Sequence, residues 1–574
     1  MSQSANFNAI FVFGNRKLTP STAKPTKPAP FTFSTSLHSK AERSSFSKPT
    51  SFKNPRRSTT PRVNPSPLPT RTEEIPEEQS ETPLYKLQDV KAALEELEHL
   101  QIERDQSRDH EVRTAPLITR EAYVAGGFAK MSMQYGVIGE ALSIQSKLGV
   151  YEPVDPRLYI NTNAPFSAVV CGVQGSGKSH TVSVLLENMF IPNLHSIGML
   201  SKPLAGLVLH FGEGGPSSRP SEAAWVGVPS SANPNIKTPP VRVYVSKSSL
   251  NTMKAVYEPL GKHVKVMPLL FNESELDAEA FLSMMAVGPS ENAPLYIQTV
   301  LSILRELGES FSYRGFLRRL EEKNFNPAQT AGLEQRLSLL NSFMDMRPLR
   351  PSSRFAAGEL TIVDLSDPFI DPGSACGLFE IVTRLFVRAD AGTGKVLVVD
   401  EAHKYLSTNR GVAGLTKSLL TLTREQRHLG VRVLISTQEP TVIPPVLLDL
   451  CTVAIMHRFS SPAWWDHLAR HVSADISTEQ GFDKVVKLQT GEAIVLAPSG
   501  MGVFPDDSGT SKTTAGKDSA AAEGAPLKAP LTLGQFGRRL ILMKTRARVT
   551  KDGGVSILVV DSESESEASE SESD

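Results

Sequence analysis

Cysteine is scarce: Cys171, Cys376 and Cys451 are the three in 574 residues. Each stands among apolar neighbours and none is spaced as a metal-ligand pair, so neither a disulfide framework nor a zinc module organises this chain. A reducing compartment is expected. No uncharged apolar run approaches the length of a membrane span, and no membrane partner is expected. A secretory signal, an internal repeat, a catalytic Ser/His set and an LSGGQ signature are all missing. Acids are missing too, but only locally. From Met1 to Thr72 there are 12 Lys/Arg and one acid, Glu42, whereas from Asp561 to Asp574 there are seven acids and no base. The balance of 61 against 61 therefore hides two oppositely charged ends around a nearly neutral middle of 49 bases and 53 acids. Like-charged ends of this kind are read as solvated tails.

The present features divide the chain. Residues 1–83, rich in Ser, Thr, Pro and Lys, carry too little apolar surface to offset the entropy of ordering and are read as a disordered basic tail. Leu84, Leu87, Val90, Leu94 and Leu97 recur at helical spacing and predict a charged amphipathic helix within 84–118. Residues 119–500 alternate short apolar runs with longer helical patterns. Strands are predicted at 167–171, 206–209, 241–245, 264–267, 360–364, 396–400, 431–436, 453–457 and 493–496. Helices are predicted at 179–189, 295–307, 313–323, 331–343, 377–388, 415–428 and 464–471. Such alternation implies an α/β fold with a mostly parallel sheet covered on both faces. A helical block at about 277–346 interrupts it and reads as an inserted subdomain. Residues 501–529 read as a Gly/Ser/Lys-rich linker, 530–560 as a short C-terminal segment and 561–574 as an acidic tail.

One motif carries chemistry outright. GVQGSGKS, Gly172 to Ser179, fits G-x-x-x-x-G-K-[ST], with an apolar strand feeding it and an apolar helix following it. Gly172, Gly175 and Gly177 let backbone N–H groups turn inward on phosphate oxygens around Ser176, and the helix N-terminus adds partial positive charge. Lys178 would reach the β- and γ-phosphates of ATP, and Ser179 would ligate Mg²⁺. Such a loop needs an acidic partner on another strand. VLVVDEAH supplies Asp400, to hold Mg²⁺ through water, and Glu401, to polarise the attacking water. Asp364, in TIVDL, is the weaker alternative and reads as a strand end closing onto a turn. His403 is read as packing or hydrogen bonding locally. In TREQRHLGVRVLISTQ, Gln438 falls just past the C-terminal end of a strand, where parallel sheets place their ligands, and is expected beside the γ-phosphate. Arg424 and Arg427 fall at the opposite end, within reach of a neighbouring subunit's phosphates or simply solvated at a helix end.

GVQGSGKS, TIVDLSDP, VLVVDEAH and TREQRHLGVRVLISTQEP, in that order, resemble the HerA/FtsK superfamily of P-loop motor ATPases, its HerA-like branch in particular. So does LEQRLSLL, from Leu333 to Leu340, in the helical block. The resemblance covers roughly 151–499. It implies a RecA/HerA-like P-loop NTPase sheet and a homo-hexameric ring that hydrolyses ATP with Mg²⁺ and moves DNA as a translocase or helicase-like motor. Lys178, Asp400, Glu401 and Gln438 match the family's functional positions. Arg424 and Arg427, with Arg458 as a third, match its interface arginine. A nucleotide-switched scaffold and a protein-remodelling ATPase are the alternatives. The chain departs from the family before the P-loop, where 119–161 reads as more helical than barrel-like. Outside the core, Ile557, Leu558, Val559 and Val560 before the acidic serines resemble a SUMO-interacting motif, or else form the chain's own last strand. KNPRR favours a nuclear address, and the acid-free start allows a mitochondrial one.

Overall fold

The computed structural model describes residues 109–554 apart from 132–133, 148, 285–294, 346–353, 407–413, 472–473, 475–476 and 506–530. The basic tail, most of the amphipathic segment, residues 557–560 and the acidic tail lie outside the described residues. In chain order the strands are β1 (Leu117–Thr119), β2 (Tyr135–Ser146), β3 (Gly149–Tyr151), β4 (Arg157–Ile160), β5 (Ser167–Cys171), β6 (Gly198–Met199), β7 (Ala205–His210), β8 (Val241–Val245), β9 (Val264–Pro268), β10 (Leu360–Asp364), β11 (Lys395–Val399), β12 (Val431–Thr437), β13 (Val453–Met456), β14 (Glu492–Leu496), β15 (Met501–Pro505), β16 (Leu531–Gln535) and β17 (Leu540–Thr545).

Eight strands lie side by side and parallel, in the order β9–β8–β10–β7–β11–β12–β5–β13. Their near-continuous apolar runs follow from burial on both faces. β5, β10, β11 and β12 are buried at every residue. The pleat deals alternate side chains to two cores. Val169, Cys171, Leu397, Val399, Val433 and Ile435 enter one; Ala168, Val170, Val396, Val398 and Leu434 enter the other.

The inserted block is helical, with Ala278–Met284, Leu295–Leu307, Tyr313–Glu321 and Pro327–Ser342 between β9 and β10. Phe281 and Phe316 pack with tilted rings within it, 4.4 Å between centroids. Phe271 and Phe343 close its base by a backbone hydrogen bond of 2.7 Å.

The region before the P-loop corrects the helical expectation for 119–161. Its helices are short, Arg120–Ala125 and Phe128–Met131, and the rest is mainly β2, β3 and β4. These belong to an antiparallel half of the sheet. β14 turns antiparallel to β13, and β17, β2, β4 and β1 follow, each antiparallel to the one before. β15 lies parallel beside β1, with β16 antiparallel to it. One neighbour of β2 is thus β17, drawn from the short C-terminal segment, and no local pattern announces such a pairing. Gly139 marks it: a Cβ there would stand 2.1 Å from the Lys544 carbonyl oxygen, so only glycine lets the two strands close up. Met501–Pro505, expected to open the linker, is β15. No helix among the described residues is long and apolar enough to cross a membrane.

Candidate active site

β5 delivers the chain to the phosphate motif, and the helix Lys178–Phe190 takes it away. Gly172, Gly175 and Gly177 have φ of 151°, 73° and 111°. At Gly172 a Cβ would also collide at 2.7 Å with both His457 Cβ and Ser176 Oγ, so glycine is required there by conformation and by space. Gly177 caps the helix without a side-chain acceptor, which leaves the first N–H groups facing the loop. Lys178 is buried, and its Nζ donates to the Val173 carbonyl at 3.0 Å. Ser176 Oγ donates to the same carbonyl at 2.7 Å. Ser179 sits half-buried in the first helical turn. Burial pushes the Lys178 ammonium down, and the charges of Glu401 and Asp400 draw it partly back. Both acids are therefore within electrostatic reach of the P-loop lysine.

The acids diverge because the backbone kinks between them. β11 ends at Val399, and Glu401 adopts the left-handed region, φ 51° and ψ 39°, which non-glycine residues seldom occupy. Asp400 turns toward β7, where its Oδ2 lies 3.1 Å from His210 Nδ1. Burial acts to raise the Asp400 carboxyl, but the hydrogen bond and charge of His210 outweigh it and hold the group low. Burial likewise acts to lower His210, yet the charges of Asp364 and Asp400 carry it up to about 9. Glu401 turns toward β12 and accepts from Gln438 Nε2 at 3.1 Å. The Gln438 backbone N–H donates to His403 Nδ1 at 3.4 Å. This places the neutral ring's proton on Nε2, which lies 3.3 Å from Glu401 Oε2. Burial lowers His403 despite the charge of Glu401. His403, read from the sequence as a local packing residue, thus bridges Glu401 and Gln438. Asp364 accepts from the Ser366 backbone N–H at 3.0 Å and from Tyr257 Oη at 2.7 Å, closing a turn.

β12 lies between β5 and β11. Two strand spacings, roughly 10 Å, therefore separate the phosphate loop from the acids, and Gln438 stands between them. That is room for a phosphate chain with a cation beside it. This is a P-loop NTPase fold. It is the fold that the HerA/FtsK resemblance implies.

The arginines are not gathered there. Arg424 and Arg427 are exposed near the end of the helix Gly414–Leu429, at the start of β12 and so roughly 20 Å of strand away from Gln438. Arg458 is different. It is exposed just beyond β13, and its carbonyl accepts from the Val173 N–H at 3.0 Å, which puts it on the rim of the phosphate loop. Two histidines escaped the sequence reading, His210 and His457. The signal available was their position: each is the first polar residue after a buried apolar strand run, as Asp400 is.

No family model matches the chain, and no curated protein does. Solved structures share parts of its architecture. The genome packaging NTPase B204 from Sulfolobus turreted icosahedral virus 2, in complex with ATP-gammaS, aligns at 18% identity over 24% of this chain and 62% of its own, with a TM-score of 0.20. VirB4 of Thermoanaerobacter pseudethanolicus aligns at 12% identity over 72% of this chain and 96% of its own, with a TM-score of 0.38. The bacterial conjugative coupling protein TrwB aligns at 10% identity over 62% and 85%, with a TM-score of 0.35.

Proposed function

We propose that this chain hydrolyses ATP and works as a ring-forming motor on DNA. The observation that supports the reading best is the Glu401–Gln438 contact at the end of β11 and β12, opposite a P-loop lysine that feels both acids. Lys178 and the loop N–H groups would bind the β- and γ-phosphates. The Asp400 carboxylate, held ionised by His210, and the half-buried Ser179 hydroxyl are hard oxygen donors suited to Mg²⁺. Bound there, Mg²⁺ would neutralise developing charge on the phosphate oxygens. Glu401 takes a proton from water as the water oxygen bonds to the γ-phosphorus. The bond from that phosphorus to the bridging oxygen breaks, and ADP leaves with the electron pair. Gln438 holds the Glu401 carboxylate and the water in line, and His403 supports both. The exposed Arg424 and Arg427 suit an interface with a second copy in a homo-hexamer, and the basic N-terminal tail suits a phosphate backbone. A nuclear address, through KNPRR, belongs to the same proposal.

The test is ATPase activity with and without DNA for the native chain, Lys178→Ala and Glu401→Gln. Hydrolysis stimulated by DNA and lost in both variants is expected. Binding without turnover would leave a nucleotide-switched scaffold, and turnover indifferent to DNA would leave a protein-remodelling ATPase.

A further inference from the structure

We infer that His457 is a positioning residue that holds the phosphate loop in its curved form from behind. The inference rests on reading Gly172–Ser179 as the nucleotide loop. His457 is fully buried directly after β13. Its backbone N–H donates to the Cys171 carbonyl at 2.8 Å, and the Val173 N–H donates to the Arg458 carbonyl at 3.0 Å. Those two bonds fix the chain on either side of Gly172, where β5 opens into the loop.

The ring does the rest. Nδ1 lies 2.8 Å from the Glu492 carbonyl, which can only accept, so Nδ1 carries the proton. Nε2 is then an acceptor, 3.0 Å from Thr181 Oγ1. Thr181 has one hydroxyl proton and gives it to the ring. Thr545 Oγ1, 2.9 Å from Thr181 Oγ1, must therefore donate to Thr181. The result is a directed chain: Thr545 to Thr181 to His457 to the Glu492 carbonyl. It runs from β17 through the first turn of the P-loop helix to the end of β13 and the start of β14. The imidazole lies between the two glycines that bracket the loop: a Cβ on Gly172 would stand 2.7 Å from His457 Cβ, and one on Gly177 would stand 3.4 Å from Cε1. Gly491, whose N–H donates to the Ser176 carbonyl at 3.1 Å and whose carbonyl accepts from the Thr545 N–H at 3.0 Å, closes the same circuit.

Only histidine among neutral side chains offers a donor and an acceptor on opposite edges of a flat, rigid ring. A leucine there would fill much of the space but deprive the Thr181 hydroxyl proton of its acceptor and the Glu492 carbonyl of the ring's proton in a buried interior. His457 is buried behind Gly172 and Gly177. Its effect reaches the phosphates through the loop, so it falls on affinity before it falls on turnover.

The experiment uses the full chain as native, His457→Leu, His457→Gln, Thr181→Val, the His457→Leu/Thr181→Val double variant and Lys178→Ala. A fluorescent ATP analogue gives Kd, steady-state hydrolysis gives kcat and KM, and nucleotide-free melting gives Tm. His457→Leu should weaken binding on the order of tenfold, with KM rising more than kcat falls. Thr181→Val, nearly isosteric, should weaken it by a smaller factor with Tm little changed. The double variant should be no worse than His457→Leu alone, because both cut one chain. His457→Gln, which keeps a donor and an acceptor, should recover part of the affinity. Native Kd in Thr181→Val, or strictly additive losses in the double variant, would overturn the inference, and Thr181→Val decides it even if His457→Leu does not fold. If native chain and Lys178→Ala bind the analogue equally well, the nucleotide reading itself fails, an outcome distinct from a working P-loop indifferent to His457 and Thr181.

Discussion

The two walls of the cleft treat the same residue type in opposite ways. His210 ends β7 on the acidic wall and His457 follows β13 behind the phosphate loop, both at the C-terminal edge of one parallel sheet. Burial pushes both imidazoles down. At His210 the charges of Asp364 and Asp400 reverse that push and carry the group up to about 9. At His457 burial prevails, only the Glu492 carbonyl opposes it, the charges of Lys178 and His180 add to it, and the group falls to about 4. Depth in the fold does not decide which histidine is charged; the sign of the nearest fixed charges does. The acidic wall gains a cation that keeps Asp400 ionised, while the phosphate wall keeps a neutral ring whose two nitrogens are free to hold shape.

The comparison can be broken most severely at Lys178. Lys178→Ala should abolish nucleotide binding by the phosphate wall while leaving the Asp400–His210 pair in place, measured as loss of ATP-analogue binding with the fold intact by circular dichroism. Next come the exposed arginines, Arg424 and Arg427 at the far edge of the sheet and Arg458 on the rim of the phosphate loop. If Arg424, Arg427 or Arg458 serves a neighbour's phosphates, its alanine variant should lose ~10³–10⁵ in rate. Mixing that variant with Lys178→Ala subunits should then restore part of the activity, and no recovery at any mixing ratio would count against action in trans. On the acidic wall, Glu401→Gln should lower kcat by ~10²–10⁴ while ATP still binds, and Gln438→Ala should act in the same direction with a smaller loss. A parallel fall in affinity would mean that the two walls are not separable.

The smallest effect is on stability. His457 has its folded-state pKa lowered from 6.5 to about 4, so the unfolded chain takes up its proton first on acidification. Its contribution is fully present above pH 6.5 and is lost progressively as pH falls toward 4. Denaturant midpoints across that window should decline for the native chain and decline less steeply for His457→Gln, which has nothing to titrate.

Much of this was legible beforehand, for identifiable reasons. A strand buried on both faces writes itself as an apolar run, and β5, β8 and β10 fall on the residues predicted for them. A loop that needs positive φ at three places leaves three glycines. An acid at the end of a buried strand stands out against its neighbours, as Asp400 does. His210 and His457 occupy equivalent places and left the same mark, but a histidine at a strand end is ambiguous until its partner is known. β2 was unreadable for a related reason. Its Gly139 makes sense only against β17 and its Gly136 only against Asn188, and the β17 contact spans most of the chain.

The linear order of residues settled what each segment can bury and where the backbone can turn, because both depend on side chains a few positions apart. It pointed to the P-loop, the acid pair and the glutamine as one candidate set, which the fold brings to one edge of the sheet. Which histidine is charged, that Glu401 faces Gln438 while Asp400 faces His210, and that a C-terminal threonine supports the phosphate loop were decided by folding alone. Charge state and hydrogen-bond direction belong to pairs of groups, and here the members of each pair come from strands that meet only in the assembled sheet.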